Sequence, residues 1–409
     1  MNPLPMVWAD LKSMRGVAFV SIALIALAVA VGVAIGAQER ALRIATARAA
    51  DDFPILIGAA GSVTQLVLTS VYLQPEALPL MDGAILDQIA GDPRVAEAAP
   101  IAFGDVVLGY PVVGTTADFV TRWGRLSLVE GRNFSVAGDA VVGADVKLRL
   151  GQTMTPSHAT TVHVRALGVE DTEDIANEHA GVIYRVVGRL PRLNSPWDRA
   201  VLIPVESVWT THGLSNGHTS DRIGFPFEAA HLPGVPAVVV KPRQVFQAYQ
   251  LRSDYRKDGR IAVFPAEVLV ALYHTLGDIR QILVTASVLN NVLVFLAILM
   301  LLITLVGLRR RRYAILRALG ASRGYIALVV WLGSTALLAT GALVGLGLGW
   351  LGAKAVAWVI EQQTGLVLQV GVNASEWLIA VGMAGLGSVI ALIPALVALR
   401  GDVSKSLRA

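Results

Sequence analysis

Seven histidines are the residues of this sequence most able to do chemistry: His158, His163, His179, His212, His218, His231 and His274. Beside His179 stand Glu170, Asp171, Glu173, Asp174 and Glu178. Imidazoles joined by carboxylates suit zinc, but these spacings match no zinc motif, and the plainer reading of 170–178 is a solvated acidic loop. No spacing of Ser, His and Asp argues for hydrolysis. Cysteine is absent, so thiolate metal sites and disulfides are excluded. No G-x-x-x-x-G-K-[ST] phosphate loop occurs, so this chain does not cradle ATP phosphates in the usual way. A G-x-G-x-x-G does occur, at Gly347, Gly349 and Gly352, but inside an uncharged apolar run with no strand before it. The expectation is therefore of no catalytic, cofactor-binding or metal-binding residue in this chain.

A second kind of chemistry lies in the stretch LRRRRYAILRALGASRGYIALVV, Leu308 to Val330, which sets six arginines (Arg309 to Arg312, Arg317 and Arg323) between two apolar runs. An Arg at mid-bilayer costs about 2.5–3.5 kcal/mol on insertion scales, which puts the four-Arg run outside hydrocarbon. A positive-inside signal accounts for that run but not for the residues after it. Ile315, Leu316 and Leu319 fall at helical spacing with Ala314 and Ala318, the arginines lie elsewhere, and Gly320 is a natural helix stop. A short amphipathic helix on a membrane face needs a partner, either lipid headgroups or protein.

The elements that must position this helix are membrane spans. The chain is 54% hydrophobic and only 16% charged, with mean hydropathy +0.60, too apolar for an ordinary soluble protein of 409 residues. Stretches free of charge and of bilayer length predict four transmembrane helices at 17–38, 281–308, 324–352 and 377–399. A fifth uncharged window, Phe53 to Pro75, carries two prolines and several Ser, Thr and Gln; its latter half, SVTQLVLTSVYL, reads as a buried strand. The first span is too long for a signal-peptide core, so it reads as a retained anchor. Basic residues dominate three segments: 1–16 (Lys12, Arg15), 309–323 (the six arginines) and 400–409 (Arg400, Lys405, Arg408). The positive-inside rule makes these three cytoplasmic, with both termini inside. The link 353–376 and the long segment 39–280 are then extracytoplasmic. Gly341, Gly345, Gly349 and Ala353 recur every fourth residue, a small-residue stripe for close helix packing, against another span or a second protomer.

Segment 39–280 reads as an α+β domain. LPLMDGAILDQIAGDPRVAEAAPIA begins as a helix, with Leu86, Ile89 and Ala90 on one face and Gly91 with Pro93 ending it. Strand-like runs come next, at DVVLGYPVVGT, DAVVGADV, TVHVRALGV, GVIYRVVGRL and RAVLIPV. Pro196 and Trp197 read as a turn and a core aromatic, or as a docking surface. From VFPAEVLVALYHTLGDIRQ the pattern turns helical and runs into the second span as one long helix.

At these residues the sequence resembles the MacB/FtsX/LolCDE-type (type VII) permease family of ABC transporters. RRRRYAILRALGAS is similar to the family's arginine-rich turn between its second and third spans. LVEGRNFS with AVVGADVKLRLG, and GDPRVAEAAPIAFGDVV, resemble phrases of its periplasmic domain, and IPALVALRGDVSKSLRA resembles its ending. Where the family has an acid near the I-L-R hydrophobics, this chain has Arg312 and Tyr313. The resemblance implies an α-helical membrane protein with four transmembrane helices and a large α+β periplasmic domain between the first and second. It implies a coupling helix docking on the ATPase through Arg312, Tyr313, Ile315, Leu316, Arg317, Leu319, Gly320, Ala321, Ser322 and Arg323. It further implies a separate ABC ATPase dimer that holds ATP and magnesium, and a second copy or homologous permease. The other implications are a periplasmic substrate-binding or adaptor protein, no nucleic acid, and a place in the bacterial inner membrane. The functional expectation is mechanotransmission, in which ATP hydrolysis moves the periplasmic domain to export or hand over an envelope substrate. FtsX-like signalling to an envelope enzyme is the alternative, with metal-linked envelope transport below it.

Overall fold

The computed structural model describes residues 2–399, apart from 159–180, most of 276–308, and the single positions 14, 75, 258, 365 and 372. The helices are α1 (Leu4–Ser13), α2 (Arg15–Ala50), α3 (Val63–Tyr72), α4 (Ala84–Gly91), α5 (Ala117–Val120), α6 (Val205–Thr211), α7 (Val245–Tyr255), α8 (Pro265–Thr275), α9 (Arg310–Ala318), α10 (Arg323–Thr364), α11 (Ala374–Ile390) and α12 (Leu392–Leu399). The strands are β1 (Ile55–Gly58), β2 (Val95–Ile101), β3 (Asp105–Val107), β4 (Tyr110–Thr115), β5 (Glu130–Gly131), β6 (Asp139–Val142), β7 (Thr153–Met154), β8 (Ser157–His158), β9 (Tyr184–Arg189), β10 (Val201–Pro204), β11 (Ala237–Pro242) and β12 (Ile261–Val263). The chain divides into two compact units: Met1–Leu42 with Leu276–Val359 and Leu368–Ala409, and Arg43–Thr275 with Ile360–Val367.

The first unit is helical. α2 and α10 are long and apolar enough to cross a membrane. At about 1.5 Å per residue they run roughly 54 and 63 Å, well beyond a hydrocarbon core of about 30 Å. α10 therefore continues past the expected span end, to Thr364. The second expected span lies almost wholly outside the described residues. The fourth is divided into α11 and α12 by a turn at Ala391. Pro394 explains the break, because it offers no N–H and its ring opposes the carbonyl four residues back, at Ile390.

Small residues bring α2 and α10 together. A Cβ on Gly341 would lie 2.6 Å from Ile25 Cβ, and one on Gly345 2.6 Å from the Ala26 carbonyl oxygen. One on Gly349 would lie 2.6 Å from the Ala30 carbonyl oxygen, and Ala353 is buried on the same stripe. The stripe expected from sequence thus faces a helix of the same chain. Both residue series rise together, so α2 and α10 run parallel and start at the same end. Trp331 Nε1 donates to the Ser388 carbonyl at 2.9 Å, and Thr335 bonds Ser388 at 3.2 Å, which seats α11 on α10.

The second unit holds two sheets. One is antiparallel in the order β12-β1-β11-β2, and the other is mixed, in the order β5-β9-β6-β10-β4-β3-β8 with β7 on β9. In the second sheet β10·β4 and β6·β9 are parallel. The apolar runs of β1, β10 and β11 are buried throughout, as central strands covered on both faces should be. Leu86 and Ile89 of α4 are buried as expected, joined by Ile85 rather than by Ala90.

SVTQLVLTSVYL is not a strand. It forms α3, started by Ser62, whose hydroxyl accepts from Gln65 N at 3.2 Å, and stopped by Leu73 at φ 54°. Trp197 is fully buried, its Nε1 donating to the Val71 carbonyl at 3.2 Å. It packs with Phe119 around the buried guanidinium of Arg122, whose Nε reaches Asp52 at 2.9 Å. Trp197 is a core aromatic, and the docking-surface reading lapses. The last turn of α10 belongs to this unit, where Arg199 donates to the Gln362 carbonyl at 2.5 Å and Arg192 pairs with Glu361 at 3.7 Å.

Candidate docking site at the arginine-rich link

Helix α9 is short and closes cleanly. Its backbone turns at Gly320, φ +96°, where Gly320 N bonds the Arg317 carbonyl and Ala321 N bonds the Leu316 carbonyl, both at 3.0 Å. Ser322 then starts α10: its hydroxyl accepts from Tyr325 N at 3.2 Å. Four residues, Leu319 to Ser322, thus separate the end of α9 from the start of the long α10.

The faces of α9 divide sharply. Tyr313 and Ala314 are buried, and Tyr313 packs with Ile326, Val330 and Ala395 while Leu316 leans on the same cluster. Desolvation pushes the Tyr313 phenol above its ordinary range. On the other side Ile315 is 47% and Leu319 80% exposed, with Ala318 beside them. The face expected from Ile315, Leu316 and Leu319 is therefore split. At 100° per residue Leu316 turns away from Ile315, and α10 and α12 supply it with an internal partner. Tyr313 likewise belongs to the internal core rather than to a docking surface. Arg317 is half-exposed, and Arg323 is exposed at the start of α10.

Two arginines of the run hold structure. Arg309 Nη1 donates to the Asp10 carboxylate at 2.9 Å and its Nη2 to the Asp10 carbonyl at 3.1 Å, with both side chains largely buried. Arg312 Nη1 donates to Ser13 Oγ at 3.1 Å, and Tyr325 OH to the Asn2 carbonyl at 3.4 Å. Helix α1 thereby clasps α9 and the first turn of α10. Sequence reasoning misses α1, whose signal is a lone acid, Asp10, in a basic segment, with Val7 one turn before it.

Among the described side chains three histidines stand apart, each beside one carboxylate. His212 lies 3.8 Å from Asp105, His218 3.5 Å from Glu206 and His231 3.4 Å from Glu228. His163, His179 and the acidic run 170–178 fall outside the described residues. Among the described residues no group of three or more metal-ligating side chains forms. Gly347, Gly349 and Gly352 lie within α10 rather than in a strand–helix turn.

The short capped helix α9, with its outward apolar pair, leads directly into α10, which is long and apolar enough to cross a membrane. Residues 284–403 match the family described as FtsX-like permease C-terminal. That match assigns the C-terminal part of the chain to an FtsX-like permease domain. Among solved structures it is similar to the periplasmic region of MacB from Actinobacillus actinomycetemcomitans, at 12% identity and TM-score 0.32, covering 54% of this chain and 94% of that one. It is also similar to the extracellular domain of the noncanonic ABC-type transporter YknZ from Gram-positive bacteria, at 13% identity and TM-score 0.29, covering 51% and 98%. No curated protein matches the chain.

Proposed function

We propose that this chain is the transmembrane subunit of an ABC transporter in which a separate ATPase dimer, holding ATP and magnesium, docks on α9. The second unit works on the extracytoplasmic side of a bacterial inner membrane, and two copies serve one ATPase dimer. The observation that carries this reading is the outward pair Ile315 and Leu319 on a helix whose other face is fixed within the protein. A displacement of α9 passes across Ala321 and Ser322 into α10, which is helical without interruption from Arg323 to Thr364. The chain transmits movement, and the envelope substrate is exported or handed over by the domain that moves.

The test is co-purification of the ATPase with Ile315→Asp/Leu319→Asp, scored only in protein whose thermal stability equals the parent's. Each apolar side chain withdrawn from a docked interface forfeits about 1.5–3 kcal/mol, so the pair should weaken association roughly 10²- to 10⁴-fold. Leu316→Asp is unsuitable, because it would break the internal cluster as well. Parent-like ATPase recovery with the double variant would refute docking through this face.

A further inference from the structure

Outside the permease machinery, the second unit buries a carboxyl and an imidazole side by side. Glu206, on the first turn of α6, and His218, in the loop after α6, are both almost wholly enclosed, with Oε1 and Nε2 3.5 Å apart. Glu206 Oε1 also accepts from Gly224 N at 2.6 Å, which ties the far side of the loop to α6. The loop closes on itself where Glu228 N donates to the Gly217 carbonyl at 2.9 Å, and the His218 ring stacks on Phe227 with centroids 5.1 Å apart. Neither His218 ring nitrogen has a hydrogen-bond partner, and Trp209 packs edge-on against Phe227 with centroids 5.6 Å apart.

We propose that Glu206 and His218 form a one-proton latch: with loop 213–228 packed the proton rests on the Glu206 carboxyl, and with the loop released it moves to the His218 imidazole. The transfer is balanced, since one O–H breaks, one N–H forms and the pair keeps a single proton throughout. Burial drives it. Desolvation pushes Glu206 up from 4.5 to about 7 and pushes His218 down from 6.5. The charged groups facing His218 are Arg222, which opposes its protonation, and Glu228, which favours it and is itself paired with His231. Glu206 is raised by desolvation, against which the backbone N–H groups of Gly224 and Glu206 act; the side chain facing it is His218, at 3.5 Å.

The raised Glu206 favours the packed loop below pH 4.5 and loses that advantage as pH rises toward 7. The depressed His218 does the opposite, favouring the packed loop above pH 6.5 and losing it in acid. A packed neutral pair and a released ion pair each hold one proton, so between pH 4.5 and 6.5 the two slopes oppose each other. The latch therefore keeps its grip through an acidification that either residue alone would feel.

The experiment is amide hydrogen exchange over residues 213–228 in the full chain in nanodiscs, from pH 5 to 7, with protection corrected for intrinsic rate. Parent protection should change by less than about 3-fold. In His218→Gln the remaining Glu206 should cost up to about 10-fold in protection per pH unit as pH rises, about 40-fold over the range. In Glu206→Gln, which keeps an acceptor for Gly224 N, protection should fall instead as pH drops below 6.5. The double variant should be flat. Flat profiles in both single variants, or slopes of the same sign, would overturn the latch. Should His218→Gln fail to fold, Glu206→Gln still decides, because the proposal requires its acid-side slope.

Discussion

The contact between α2 and α10 makes an internally controlled prediction, because α10 carries glycines both on and off it. A Cβ at Gly345 or Gly349 would sit 2.6 Å from a backbone oxygen of α2, whereas one at Gly347 or Gly352 meets nothing within 4 Å. Gly→Ala at the two open positions should gain up to about 1 kcal/mol, the helix-propensity difference between the residues. At Gly345 the same propensity gain is set against an overlap of several tenths of an ångström with rigid backbone. Overpacking of this kind costs about 1–3 kcal/mol, so the net effect runs from near zero to about 2 kcal/mol of destabilisation. Gly345→Leu, which cannot relax into the gap, should exceed that. The assay is thermal unfolding of the purified chain in one detergent, comparing Gly345→Ala and Gly349→Ala with Gly347→Ala and Gly352→Ala. A melting order that does not separate the first pair from the second would mean that α2 and α10 are not in this contact.

Three other perturbations test separate parts of the structure. Asp10→Ala should remove the carboxylate facing the largely buried Arg309 while keeping its bond to the residue-10 carbonyl, at up to about 3–5 kcal/mol, visible as protease cleavage near α1; Asp10→Asn should cost less. Replacing both Ile315 and Leu319 with Asp should abolish ATPase recovery without moving the melting temperature. Asp92 is held below its ordinary range first by hydrogen bonds from Arg94, with Tyr255 adding another at 3.2 Å. Its contribution is present above pH 3.8 and is lost as pH falls through its folded value; Asp92→Asn should flatten that part of the acid-unfolding curve of the second unit.

The long apolar helices α2 and α10 were legible because absence of charge over a bilayer length is a strong signal. The continuation of α10 to Thr364 was not, since Lys354 and Glu361 end the uncharged run without ending the helix. α3 misled for a related reason. Its Val, Thr and Tyr residues favour strands, but the cap at Ser62 and burial of Leu66, Val67 and Val71 on neighbouring elements override that preference. The α9 helix could be read from its spacing, yet its inward and outward faces could not, because the deciding partners, Ile326 and Ala395, come from distant parts of the chain. Glu206 and His218 carried no motif at all, since their relation exists only once the loop after α6 folds back.

The α2–α10 contact also has the property of a ratchet. Ile25, Val29 and Val33 stand against Gly341, Gly345 and Gly349, so the same fit recurs every four residues. A translation of four residues, about 6 Å, would set Val29 against Gly341 and Val33 against Gly345 with almost equal complementarity. The stripe alone therefore does not choose its notch; the pawl is at the other end of the unit, where Asp10 grips Arg309 and Asn2 meets Tyr325. Because the chain has no cysteine of its own, a pair introduced at Val29 and Gly341 can report a slipped notch directly. Crosslinking should be absent in the otherwise native chain and should emerge with Asp10→Asn; no difference between the two backgrounds would show that the register is fixed elsewhere.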